Sequence, residues 1–159
     1  MSTTIAPPHS GTAFVKKTRI IRASRQAVYD AWTKPEILKK WFGPVGHVCT
    51  LAESDARVGG IFRFACEPDT AAPSGTPPSD IIEGVYTEIV PGERMQRTGY
   101  RSASPDDQAL LTVTFRDVEG GTEVTVLHEL HERLPSDTVH LYEAGWEGTL
   151  DKLVALVAA

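Results

Sequence analysis

The sequence predicts an α+β fold, a curved antiparallel sheet wrapped around one long C-terminal helix, with two short helices after strand 1. Three observations lead there. The last apolar segment, Tyr142, Trp146, Leu150, Leu153 and Val157, repeats at four, four, three and four residues, the stripe of one amphipathic helix. Ahead of it lie several strand-like runs separated by hairpin-length turns, which call for antiparallel pairing. Near the start, Trp32, Trp41 and Phe42 form a compact aromatic block in another helical stretch. An antiparallel sheet has one face free to be covered, and the last helix carries the stripe to cover it.

The elements follow in order. Residues 13–21 are β-branched and apolar and read as the first strand. Ser24 suits an N-cap, with Val28, Ala31 and Trp32 on the inward side of the helix behind it. Pro35 restarts a second short helix with Ile37, Leu38, Trp41 and Phe42 as its apolar side, and Gly43-Pro44 ends it. Strands are expected at 48–53, 61–66, 81–90, 95–100, 110–116 and 123–131. The turns between them are read at 55–60, at Pro91-Gly92, in a polar loop around Pro105 to Asp107, and at Gly120-Gly121. In residues 61–66, Phe62 and Phe64 share one face and Arg63 the other. In residues 81–90, Val85 and Tyr86 compete for the interior. Residues 67–80 carry four prolines among small polar residues and read as a long exposed loop or a disordered one, either a lid over the interior or an idle segment. Ser136 or Asp137 is the expected cap of the last helix. Residues 1–12 read as a flexible tail and 13–159 as one domain, a length that supports a single core.

Bulk properties narrow the function. The net charge of -5 and the absence of a long basic run argue against nucleic acid. Paired cations such as Lys16-Lys17 and Lys39-Lys40 read as solvated surface. No apolar run reaches the ~20 residues of a membrane span, and the N-terminus lacks the pattern of a secretory signal. The expected compartment is the cytoplasm. Cys49 and Cys66 fall in separate strands, without a C-x-x-C motif, and read as small buried hydrophobes. His47 and Cys49 share a strand face, but no third group in the sequence orients them. His128-Glu129-Leu130-His131 puts two histidines three apart on a strand, hence on opposite faces, so no metal site is expected. No phosphate loop, nucleophile elbow or triad is legible, and no cofactor is expected.

Seven motifs in order carry a resemblance. They are Thr18-Arg19-Ile20-Ile21-Arg22-Ala23-Ser24; the helical set Val28, Ala31, Trp32, Thr33, Pro35, Leu38 and Trp41; Gly43-Pro44; Gly59-Gly60; Gly84, Tyr86, Glu88, Ile89 and Pro91; Gly120-Gly121-Thr122; and Gly145, Trp146, Leu150 and Leu153. With these the chain resembles the activator-of-heat-shock-protein-90-ATPase homologue family, within the START-like, birch-pollen-allergen-like (SRPBCC) superfamily, from about Thr18 to Val157. At Ser24 the family pattern has proline. The resemblance implies a helix-grip (START-like) fold. It implies a range of roles: co-chaperones, resistance proteins, cyclase-like enzymes and binders. The well-studied eukaryotic activators match only in their C-terminal half and carry an additional N-terminal domain.

A helix gripped by a curved sheet cannot touch it along its whole length, so an apolar internal space is expected between them. Its candidate lining is Trp41, Phe62, Phe64, Tyr86, Val113, Phe115, Val126, His128, Trp146 and Leu150. Tyr86, His128 or Arg63 would orient a ligand there. Gly145 and Gly148 flank Trp146, at a cost of roughly 1 kcal/mol apiece relative to alanine, which points to a close approach or a kink. The leading expectation is a non-enzymatic binder of a small hydrophobic or aromatic molecule. The alternatives are a co-chaperone that stimulates the heat-shock protein 90 ATPase, and a polyketide cyclase-like enzyme using His128. A homodimer is compatible with the sequence, but no exposed stripe demands one.

Overall fold

Residue 34 precedes a proline, and the proline ring disfavours helical backbone there. In the computed structural model, which describes residues 14–43, 46–69, 81–101, 108–130 and 138–158, Lys34 is extended and separates two helices. These are α1 (Arg25–Thr33) and α2 (Pro35–Trp41), and they follow strand β1 (Phe14–Ile21). Ser24 caps α1, its Oγ accepting from the Ala27 amide at 3.1 Å. Six strands come next: β2 (His47–Ser54), β3 (Ile61–Pro68), β4 (Ile82–Val90), β5 (Arg94–Arg101), β6 (Ala109–Val118) and β7 (Gly121–Glu129). The long helix α3 (Thr138–Val157) completes the set.

The seven strands form one antiparallel sheet in the order β1-β7-β6-β5-β4-β3-β2. Strands β2 to β7 are a plain meander, and β1 docks on β7 at the far edge. The pair α1–α2 therefore crosses from one edge of the sheet to the other, across the mouth of a curved half-barrel. The helix-grip architecture expected from the sequence is the one observed.

Period-two alternation sets the inner face. Val15 and Ile21, Phe62 and Phe64, Tyr86, Met95, Leu111 and Val113, and Val124 and Val126 are all buried. The competition in β4 resolves in favour of Tyr86, which is fully buried while Val85 is exposed. A register shift between Tyr86 and Glu88 then breaks the alternation of the strand.

Some boundaries differ from expectation, because pairing is a property of two strands and not of one. Strand β3 runs on through Glu67 and Pro68, which pair with Val48 and His47 at the edge of the sheet. Of the expected loop at 67–80, residues 70–80 lie outside the described residues, as do the caps Ser136 and Asp137 and the second histidine, His131. Strand β7 starts at Gly121, which pairs with Val118 across a two-residue turn, and the strand ends at Glu129.

Helix α3 approaches the sheet at β1 and also packs on α1 and α2. Leu150 and Leu153 are fully buried and Trp146 nearly so. Polar bonds fix its position. The inner face of β1 presents Lys17 and Arg19, and both pair with Glu147, with Asp151 3.6 Å from Arg19. Lys17 is thus part of a clamp and not free surface, which corrects the sequence reading. The Thr149 hydroxyl donates to the Gly43 carbonyl at 3.0 Å. Gly145 is exposed and a Cβ there would meet nothing within 4 Å among the described residues, so no close approach among them explains this glycine.

Candidate functional site

Between α3 and the middle strands lies a continuous set of aromatic rings. Its hub is Phe42, the residue just beyond α2. Phe42 is extended, and Gly43 behind it has φ +99°. A Cβ on Gly43 would stand 2.6 Å from Cys66 Sγ, so both the backbone angle and the close packing require glycine. This turn sends the Phe42 ring inward against Trp41, Phe62, Phe64 and Trp146 at centroid distances of 4.8–6.2 Å, with Trp32 at 6.3 Å. Trp32 also lies edge-on to Trp41 and stacks on Trp146. Phe62 continues the set to Tyr86.

Of the ten lining candidates, nine are buried and His128 is half-buried. Trp41, Phe62, Phe64, Tyr86 and Trp146 belong to the ring cluster. His128 joins through Trp146, whose indole N–H donates to His128 Nδ1 at 3.0 Å. That bond makes Nδ1 an acceptor, so the proton of the neutral ring sits on Nε2. Val113 and Val126 face each other across β6 and β7. Phe115 instead packs edge-on against Tyr29 of α1, at 5.4 Å. Arg63 faces outward and pairs with Glu53 and Glu83, so it cannot orient an interior ligand.

The interior also holds polar atoms. The Tyr86 hydroxyl and Ser54 Oγ lie 2.7 Å apart, and burial is the main reason the Tyr86 phenol is pushed above its ordinary pKa. The Trp41 indole donates to the Ala31 carbonyl at 2.9 Å. Two donors have no partner among the described residues: Trp32 Nε1 and Arg97 Nε.

Arg97 was passed over in the sequence. It stands two residues after Met95 on β5, so period two puts it on Met95's inward face. It is 4 % exposed, and no other charged side chain is buried among the described residues. Its guanidinium lies 3.6 Å from the centroid of Phe62 and 5.8 Å from that of Phe42. Tyr86 and Leu111 are its neighbours across the adjacent strands. Desolvation brings its pKa down to about 10, so it is still a cation at neutral pH. A desolvated cation–π contact contributes about 2 kcal/mol. Taking a cation out of water without an anion costs several kcal/mol. The stacking alone therefore leaves Arg97 a net cost to the fold.

Cys49 and Cys66 are free and stand directly opposite one another across β2 and β3, a juxtaposition not legible in the sequence. Burial raises both thiols, Cys66 to about 12, so neither is a thiolate nucleophile at neutral pH. Among the described residues no three His, Cys, Asp or Glu side chains come together as a metal site. No helix among them is long and apolar enough to cross a membrane.

A half-barrel closed by a terminal helix over an aromatic interior defines the helix-grip class of binding folds. Residues 22–158 match the family described as "Activator of Hsp90 ATPase homolog 1-like protein", and the chain belongs to that family. Among solved structures it is similar to protein CV1439 from Chromobacterium violaceum. The two are 30 % identical over 92 % of this chain and 97 % of that one, with a TM-score of 0.78. It is also similar in fold to the AHSA1-like protein from Aeromonas hydrophila, at 22 % identity over 91 % and 92 % of the two chains and a TM-score of 0.74. A search of curated proteins gives no match.

Proposed function

We propose that this chain acts by binding and not by catalysis, as an activator-type partner of an Hsp90-class chaperone. The observation that carries this reading is the family match over residues 22–158. The chemistry of the interior supports the non-catalytic part. The thiols are raised by burial, and His128 has one ring nitrogen engaged by Trp146. The test is to titrate the purified chain into the Hsp90-class chaperone of its source organism and follow ATP hydrolysis. A saturable rise in rate, with a complex seen by calorimetry, is the expected result. An unchanged rate with no heat of binding would reject the reading.

A second reading has its own supporting observation, the pair of unpartnered buried donors beside the ring cluster. In this reading the interior takes a small hydrophobic or aromatic molecule, lined by the candidates named from the sequence, with Trp32, Phe42 and Arg97 added and Phe115 at the margin. A thermal-shift screen of lipids, sterols, flavonoids and aromatic polyketides tests it. Ligand at 100 times its Kd adds about 2.7 kcal/mol, a rise of several degrees in the midpoint. A flat response across the panel would count against it.

A further inference from the structure

We propose that Arg97 is the anchor for a monoanionic ligand, a carboxylate carried on an apolar aromatic body. This rests on the small-ligand reading above and names the chemistry that the interior would select.

Three observations converge on it. The guanidinium is placed and oriented: one face lies on Phe62, 3.6 Å from the ring centroid, which leaves its N–H edge as the hydrogen-bonding side. That edge is unsatisfied at Nε, which is buried and has no acceptor among the described residues. The next inward position adds no side chain beside it: Gly99 follows Arg97 at period two, and where a Cβ on Gly99 would stand, Arg97 Nη1 lies 3.4 Å away, with no other heavy atom of the described residues beyond its chain neighbours within 4 Å.

A planar guanidinium with a free edge matches a carboxylate through two parallel charge-assisted hydrogen bonds. The charge count favours one negative charge. Arg97 is the sole buried charged side chain among the described residues, so a phosphate dianion would stay half-compensated. The neighbouring walls are Phe42, Phe62 and Tyr86, which suits an aromatic body. Trp32 Nε1, the other unpartnered donor, lies on a ring that also contacts Phe42 and offers a further hydrogen bond to an acceptor on that body.

The test compares 1-naphthylacetate with its neutral isostere 1-naphthylacetamide by isothermal titration at pH 7. It uses the full chain and its Arg97→Met variant, whose side chain is apolar and of similar reach. The wild type is expected to bind the acid about tenfold or more tightly than the amide. Arg97→Met is expected to lose that preference while keeping its affinity for the amide, and its ligand-free thermal midpoint should hold or rise. Equal binding of acid and amide by the wild type overturns the anion assignment and leaves the small-ligand reading standing. Binding of neither probe overturns both. A preference retained in Arg97→Met assigns Arg97 to the scaffold and overturns the proposal. The wild-type comparison decides the matter even if the variant does not fold.

Discussion

His128 is an inward histidine whose role a sequence leaves open between base, ligand contact and core. Its Nδ1 accepts the Trp146 indole N–H, which ties β7 to α3. Removing the acceptor orphans a donor on a nearly buried ring, and such a loss costs about 1–3 kcal/mol. His128→Leu should therefore lower stability by that amount in denaturant unfolding followed by tryptophan fluorescence. A variant as stable as the wild type would mean that water replaces the imidazole. Arg97 shows the other side of the same physics. Period two on β5 puts it inward, yet its charge argues for the surface, and only the packing of Phe62 beneath it settles which applies. Cys49 and Cys66 make a parallel case, since each strand is legible alone and their pairing is not.

At the scale of the element, α3 shows two features with opposite consequences. Gly145 is exposed, mid-helix and, among the described residues, without a neighbour that a Cβ would touch. Gly145→Ala should raise stability by up to about 1 kcal/mol through helix propensity alone, read as a higher thermal midpoint. A fall would reveal a need for backbone freedom in α3. Glu147 carries the clamp to β1. Hydrogen bonds from Lys17, then Arg19, hold its carboxyl below the ordinary carboxylate range. A depressed folded pKa contributes stability that is present above the unfolded pKa and is lost as pH falls through the folded one. The midpoint gap between wild type and Glu147→Gln should accordingly be open at neutral pH and close below about pH 4. The group is largely exposed, so the gap should be small. A gap that is independent of pH would show that the clamp acts through packing.

At the scale of the molecule, the three tryptophans report on one event. Trp32 of α1, Trp41 of α2 and Trp146 of α3 meet in a single cluster that also touches β3 through Phe42. Helix and sheet are thus coupled through shared rings and not through separate cores. Unfolding followed by tryptophan fluorescence and by far-ultraviolet circular dichroism should give coincident transitions. Resolved midpoints would mean that the helices release from the sheet first. The same cluster makes the interior the region where either binding reading would leave a spectroscopic trace.

The sequence by itself determined the helix-grip class, the order of elements, the Ser24 cap, the break at Pro35 and the inward face of most strands. These are local properties: backbone angles restricted by proline and glycine, and apolar residues spaced at 2 or 3.6. It also supplied most of the aromatic interior, because large apolar side chains on those faces have nowhere else to go. Tertiary structure alone decided the rest. It chose Tyr86 over Val85, extended β3 to Pro68, turned Phe42 into the hub of the rings, drew Lys17 and Arg19 into a clamp, set Cys49 against Cys66 and sealed Arg97 against Phe62. Each of these depends on what another strand or helix brings to the same place, and a pattern along one segment carries no record of its partner.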